Sequence, residues 1–293
     1  MSCPVALTEF VSIRKAAPVR LEPTCLTSTA VVAVARECLD HWQANVGQVD
    51  VDGDPSALHQ TRVGLRRFRS ALSLFRRALD DPQVEWLGDE VRELALPLGD
   101  ARDLDVLMAE PGLVDRLDPS ALSQLSEQRR AAYVRVGELL DSTRWADVWV
   151  LVERFLDRAP WDLEPDPPAV VTAADALQRR WRRILRDGGD LAALSAADRH
   201  RVRIQAKKLR YGAQFFADLF PDHEGDDPSK YASTLGRAQD ALGALNDHHI
   251  QHLLLEGVGV AHPELDETAA LNASQVAVDE VMALRPFWAS PPV

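Results

Sequence analysis

Apolar residues recur along this chain every three or four positions, and stretches that alternate with period two are scarce. That spacing predicts α-helices almost throughout. The sharpest case begins at Pro55. Plotted at 100° per residue, Leu65, Phe68, Leu72, Phe75 and Leu79 fall on one side of a helix, which is therefore a core face. Asp54 suits the N-cap, with proline at the first helical position, and the helix should stop before Asp81-Pro82. The same reading predicts helices over 28–46, from Pro82 onward, over 120–141 and over 143–158. Pro97 should break or kink the helix that starts at Pro82, which resumes from Leu104 to Met108.

Residues 1–25, with Pro4, Pro18 and Pro23, read as an irregular lead-in. Pro160, Pro165, Pro167 and Pro168, mixed with acidic residues, make a short stiff linker over 160–169. Further helices are predicted over 172–186, 196–220, 229–257 and from Pro263 to Leu284, with 289–293 a tail. The expected fold is all-α, with one helical bundle over 26–159 and a second over 170–288.

The polar faces carry the chemistry. Residues 59–77, HQTRVGLRRFRSALSLFRR, hold six arginines and no acidic residue. His59, Arg62, Arg66, Arg69 and Arg77 share an arc about 80° wide, opposite the core face. From Arg62 to Arg77 this ladder of cations is about 22 Å long. The device returns at His200 in HRVRIQAKKLRYGAQFF, where His200, Arg203, Lys207 and Arg210 repeat the angular positions of His59, Arg62, Arg66 and Arg69. Lys207 and Lys208 stand where the first run has Arg66 and Arg67, keeping charge but giving up the guanidinium fork, so the first half should hold a ligand more tightly. Ser195 and Asp198 read as a capping box, and each histidine follows its cap by five residues, near the positive end of a helix dipole. A third basic run, Arg179, Arg180, Arg182, Arg183 and Arg186, puts 179, 183 and 186 on one side with 182 near them, while Trp181 and Leu185 can pack inward.

Cations at every turn over about 20 Å exceed what a small phosphate ester needs, and the glycine-rich phosphate loops are absent. A linear ladder suits a linear polyanion, with arginine forking onto phosphate oxygens and lysine acting as a point charge. The alternative is that the arginines only make salt bridges between helices, with Asp100, Asp103, Asp105 and Asp247 as partners, although the ladder cations outnumber them. His59 and His200 each have cations at i+3 and i+7, which lower a histidine's pKa and are not the carboxylate partner of a general base. They read as phosphate donors or hydrogen-bonded helix-start residues rather than catalysts.

Together with LGDARDLDVL (98–107), LGALNDHHI (242–250) and a closing RPFW (285–288), the doubled basic motif resembles the CHAD family, the conserved-histidine α-helical domain, over about residues 26–288. His59 lies 44 residues before Asp103, and His200 lies 47 before Asp247. The resemblance implies an internal duplication, two related bundles in pseudo-twofold arrangement whose basic helices face each other across a shared channel. It also implies binding of inorganic polyphosphate, in some members at polyphosphate granules. The residues expected to hold that ligand are His59, Arg62, Arg66, Arg67, Arg69, Arg77, Arg179, Arg183, His200, Arg203, Lys207, Lys208, Arg210 and Tyr211, although the run that contains Arg179 and Arg183 could equally be an exposed basic face. Arg102-Asp103 and Asn246-Asp247, in matching places after Leu-Gly, would support the ladder from behind. A protein-held metal would use Asp103 with Asp105, or Asp247 with His248 and His252. Asn246 in place of Arg102 and His249 in place of Asp105 argue against two such sites, so divalent cations are expected only with the ligand. Hydrolysis of polyphosphate or triphosphate is the competing reading. CHAD domains are sometimes fused to a CYTH domain, but its Glu-x-Glu-x-Lys signature is absent, so no catalysis and no cofactor are expected.

Charge distribution narrows the partners. The net charge is -12, yet residues 59–77, 179–186 and 199–210 hold 17 of the 33 Lys and Arg and none of the 45 acids. An acidic shell around concentrated basic helices argues against coating nucleic acid or membrane with the whole surface. The seven tryptophans are scattered rather than interleaved with arginine, which argues against base stacking. No apolar run approaches 18 residues and the N-terminus lacks an apolar signal region, so neither a membrane span nor a signal peptide is expected. Cys3, Cys25 and Cys38 lack Cys-x-x-Cys spacing and suit a reducing compartment, which makes the cytoplasm the expected location. Arg129, Arg130 and Arg135 read as surface charge.

Overall fold

The computed structural model describes residues 12–161, 163–222, 224–261 and 266–289. Cys3, Pro4 and the helix start expected at Pro263 lie outside them, as does the tail beyond Ala289. The described residues form ten α-helices: α1 (Thr27–Val46), α2 (Pro55–Leu79), α3 (Pro82–Met108), α4 (Leu113–Arg116), α5 (Pro119–Leu140), α6 (Thr143–Leu156), α7 (Ala169–Asp187), α8 (Ala196–Phe216), α9 (Pro228–Glu256) and α10 (Glu267–Met282). A 3-10 turn, Ala217–Leu219, closes the end of α8. Among the described residues, no helix is long and apolar enough to cross a membrane.

The bounds of α2 follow from its caps. The Asp54 carboxylate accepts the Ser56 N–H, Pro55 needs no donor partner, and Asp80 ends the helix in the left-handed region. α3 departs from expectation. It runs unbroken from Pro82 to Met108 with Pro97 inside it. The proline removes one backbone hydrogen bond, but Val91, Leu94, Leu98, Ala101 and Leu104 are buried on both sides of it, and that packing holds the helix through the gap. The single turn α4 has no sequence periodicity to announce it.

Neighbouring helices pack in chain order, α1 on α2 on α3 on α5, and α7 on α8 on α9 on α10. The two series meet where α2 crosses α7 and α8, α1 touches α7, and α3 touches α9. At the α2–α8 crossing Phe75 and Phe216 pack edge to face with centroids 5.3 Å apart. Gly212 lets α7 press onto α8 beside this crossing, because a Cβ there would stand 2.7 Å from a Leu177 methyl and 3.4 Å from one of Leu74 on α2. The proline-rich segment is stitched to the start of α1. Thr27 N–H donates to the Pro167 carbonyl and Ala169 N–H to that of Cys25, both at 2.9 Å. At the other end of the chain Phe287 and Trp288 are buried beside Tyr231 and Trp181, and the Trp288 indole N–H donates to Gln178 at 2.9 Å.

Two expectations are corrected by packing. Leu185 faces solvent, and Ile184 takes the inward position on α7. Arg129 is not surface charge. Its Nε donates to Asp105 Oδ1 at 2.7 Å, its Nη1 donates to the Val51 carbonyl at 2.8 Å, and its guanidinium carbon stands 4.8 Å from the Tyr133 ring centre. Tyr133 completes the group, its hydroxyl donating to Asp105 Oδ2 at 2.8 Å.

Gly64 is where α2 touches α1. A Cβ there would lie 2.8 to 2.9 Å from the Cβ, Cα and N of Trp42, whose ring is held edge-on between Trp145 and Trp149. Neither backbone nor ring can give way freely. Gly64→Ala should therefore cost about 1–3 kcal/mol of overpacking, read as a lower urea midpoint at unchanged slope.

Candidate functional site

The basic faces of α2 and α8 meet across the crossing. Arg66 Nε donates to the Tyr211 hydroxyl at 2.8 Å, joining one helix to the other. Around this link lie Arg62, Arg203 and Lys207, close enough to repel one another. Burial, with Arg203 and Arg66 adding, pushes the Lys207 ammonium down to about 7. Burial also lowers Arg62 and Arg203 from the ordinary arginine value, and repulsion from Arg66 adds to it in each. His59 is half-buried at the near end. Burial and then Arg102, Arg66 and Arg62 bring it down to about 4, so it is neutral at neutral pH. His200 is more exposed and is lowered by burial, Arg203 and Lys207.

Two carboxylates reach this group. Asp103 lies by Arg62, but burial outweighs that attraction and, with Asp247 and Asp100, holds its carboxyl above the usual value. Asp247 approaches Arg203 at 3.8 Å and accepts from Asn246 at 3.4 Å. Two glycines seat the arginines. A Cβ at Gly99 of α3 would stand 2.7 Å from Arg62 Nη1, and one at Gly243 of α9 would stand 3.3 Å from Arg203 Nη2. These are the glycines of the two Leu-Gly pairs, which the sequence shows only as markers ahead of Asp103 and Asp247. Further along, Arg69 Nε donates to the Gly88 carbonyl at 3.1 Å, and the Arg210 guanidinium carbon lies 3.6 Å from a Cβ built on Gly236.

A second cluster continues the track through Ser73 of α2. Its hydroxyl bonds Lys208 Nζ and Arg180 Nη2, each at 2.9 Å, and its carbonyl takes a further bond from Arg180 Nη2. Burial and then repulsion from Arg180, Arg69, Arg183 and Arg76 bring Lys208 down to about 8. Burial, then Arg183 and Arg179, bring Arg180 to about 10. Arg183 and Arg77 are exposed at the rim, and Arg179 is ion-paired with Asp175. Arg180 is absent from the sequence-derived candidates. Its signal was a charged residue on the apolar face of α7, beside Leu177, Trp181 and Ile184.

Arg67, expected among the ligand residues, lies away from the seam. It sits 100° around the helix from Arg66, is 3% exposed, and packs over Phe215 with Nη2 donating to the Ala17 carbonyl at 3.3 Å. Its ion-pair partner is Glu37 of α1 at 3.7 Å. The salt-bridge alternative also loses a member, since Asp105 is taken by Arg129 and Tyr133. Several buried guanidinium nitrogens, among them Arg62 Nη1, Arg203 Nε and Arg210 Nε, have no hydrogen-bond partner. Buried donors left in this state are costly, and an oxyanion would satisfy them. Among the described residues no group of three or more His, Cys, Asp or Glu side chains could hold a metal ion.

Residues 33–256 match the family model described as the CHAD domain. The crystal structure of the CHAD domain from the plant Ricinus communis is similar with a TM-score of 0.73 and 28% identity, over 93% of this chain and 96% of that one. PptA from Streptomyces chartreusis, at 16% identity and a TM-score of 0.51 over 88% of this chain and 94% of its own, shares the fold alone. Two uncharacterized proteins of Mycobacterium tuberculosis, MT2285 and Rv2226, are each 28% identical over 218 residues. That stretch is 68% of this chain and 40% of theirs, so the chain spans well under half the length of these relatives.

Proposed function

Because this chain belongs to the CHAD family, we propose that it binds inorganic polyphosphate along the α2–α8 seam, as a binding protein rather than a catalyst. The observation that carries the reading is the row of buried, mutually repelling cations with unsatisfied donors. The polymer would run from His59, Arg102 and Arg62, past Arg66, Arg203 and Lys207, to Arg69, Lys208 and Arg180, and leave by Arg183 and Arg77. His200 flanks it on α8, while Arg210 turns to Gln239 and Gly236 of α9. Arginine forks bind the phosphate oxygens, and neutral His59 supplies a ring N–H. Asp103 and Asp247 orient Arg62 and Arg203. Divalent cations would accompany the polymer, not the protein. Neither His59 nor His200 is hydrogen-bonded to a carboxylate among the described residues, which favours binding over general-base chemistry. The inferred role is targeting to, or organising, polyphosphate stores.

The test is calorimetric titration with long-chain polyphosphate beside duplex DNA at two salt concentrations. Polyphosphate should bind tightly, with an affinity that falls steeply as salt rises, while DNA binds weakly. Equal affinity for both would replace this reading with a general polyanion binder.

Protonation should be coupled to binding. Lys207 at about 7 and Lys208 at about 8 are partly neutral at pH 8, and an adjacent phosphate favours their charged forms. The bound values therefore lie above the free ones, and between them each binding event takes up protons. Titrations at pH 8 in two buffers of different ionisation enthalpy should show net proton uptake, and affinity should fall from pH 7 to pH 9.

A further inference from the structure

A cavity of about 520 Å³ lies between the lead-in at Ala16–Pro18, the last turns of α8 and the first turns of α9. Arg67, Arg210, Gln214, Ser229 and Ser233 line it, and none of Arg62, Arg66, Arg203 or Lys207 does. Arg67 is the unusual member. It is 3% exposed, yet its Nε and Nη1 have no hydrogen-bond partner. The Glu37 carboxylate stands 3.7 Å away and is already engaged, accepting from Arg14 Nη2 at 3.1 Å and from the Ala17 N–H at 2.9 Å. Arg210 repeats the pattern. Its Nη1 makes one long bond to Gln239 at 3.3 Å, and its Nε has none. The start of α9, a helix of 29 residues capped by Asp227 through the Ser229 N–H, borders the same space.

From this geometry we infer a second anion site, separate from the seam, that takes a phosphate-class oxyanion. Two guanidiniums with unpaired N–H groups, the Ser229 hydroxyl and the Gln214 side-chain amide form a donor set suited to a phosphoryl group, while the Ser233 hydroxyl is taken by the Lys230 carbonyl. An anion there would satisfy the donors that Glu37 leaves unfilled, and a neutral ligand would not. Gln214, exposed at the mouth, offers a position where charge can be changed without disturbing the core. The inference does not rest on the polymer reading of the seam, since it uses different cations. The anion itself has two sources, a free phosphate or the end of a bound phosphate chain.

The experiment starts from the full chain carrying Arg203→Ala and Lys207→Met, which removes two central cations of the seam. It is titrated calorimetrically with inorganic phosphate, pyrophosphate and tripolyphosphate. One site per chain should remain for pyrophosphate, weakened at least tenfold by Gln214→Glu and by Arg210→Gln in the same background. Binding of all three anions with that sensitivity identifies a free-anion site, and binding of pyrophosphate and tripolyphosphate without inorganic phosphate identifies a chain-end site. Loss of all binding in the seam variant, or binding indifferent to both pocket substitutions, overturns the site. Failure of long-chain polyphosphate to bind the wild-type seam would leave this result standing, so the two readings fail separately.

Discussion

Replacing Lys207 with methionine should raise the thermal midpoint of the ligand-free protein and weaken polyphosphate binding at least tenfold. Both effects have one cause. The Lys207 ammonium is partly buried among Arg203, Arg66 and Arg62, and its value of about 7 records how poorly its charge is tolerated there. The folded value lies below the unfolded one, so between about pH 7 and the ordinary lysine range the unfolded chain binds more protons. Stability of the ligand-free protein should rise with pH through that window, and Lys207→Met should flatten the rise. With ligand the sign reverses, since a charge-assisted hydrogen bond to phosphate contributes about 1.5–3 kcal/mol, or roughly 10- to 150-fold in affinity. The double variant Arg203→Ala/Lys207→Met should lose roughly 100-fold or more. Thermal melts with and without polyphosphate, from pH 6.5 to 9, read all of this. A lower midpoint at unchanged affinity would make Lys207 a structural group and remove the seam's central cation.

The second large effect concerns stability. Asp105 is 5% exposed and accepts from both Arg129 Nε and the Tyr133 hydroxyl. Asp105→Ala leaves a partly buried guanidinium and a buried hydroxyl without their acceptor, and removing one member of such a pair costs about 3–5 kcal/mol. Arg129 also holds the Val51 carbonyl in the loop that leads into α2, so the loss would loosen the approach to His59. Asp105→Asn keeps an acceptor and should cost less. Asp105→Leu with Arg129→Met removes both charges and should recover much of the loss, because an apolar replacement needs no desolvated ion. Urea unfolding of the three variants orders them. Equal stability of Asp105→Ala and wild type would show that the group is solvated rather than buried.

Local chemistry was legible in the sequence, and long-range partnership was not. Asp54, Pro55 and the Asp81-Pro82 stop fix α2 because capping depends on residues a few positions apart. The angular argument also puts Arg66 and Arg67 on different faces, and only Arg66 joins the seam. The partner of Arg67 is Glu37 on another helix, which no spacing within α2 could reveal. Asp105 looks like a ladder partner by its place beside Asp103, but two residues along a helix is a 200° rotation, and it faces Arg129 instead. Pro97 misleads for a similar reason, since the packing that carries α3 through it comes from other elements. Gly99 and Gly243 stand out only once Arg62 and Arg203 are seen resting against them.

The half-buried state of the ladder cations has a consequence for how the molecule meets its surroundings. With a net charge of -12 the particle should migrate as an anion and stay off cation exchangers, although just over half its chain-wide positive charge is gathered in three short runs. Its attraction is short-sighted, felt only within about a Debye length of the seam. If the proposed function holds, bulky polyelectrolytes should be held off by the acidic exterior, while a thin, flexible strand should slip beneath it. Selectivity on this view is a matter of cross-section, closer to a keyhole than to a magnet.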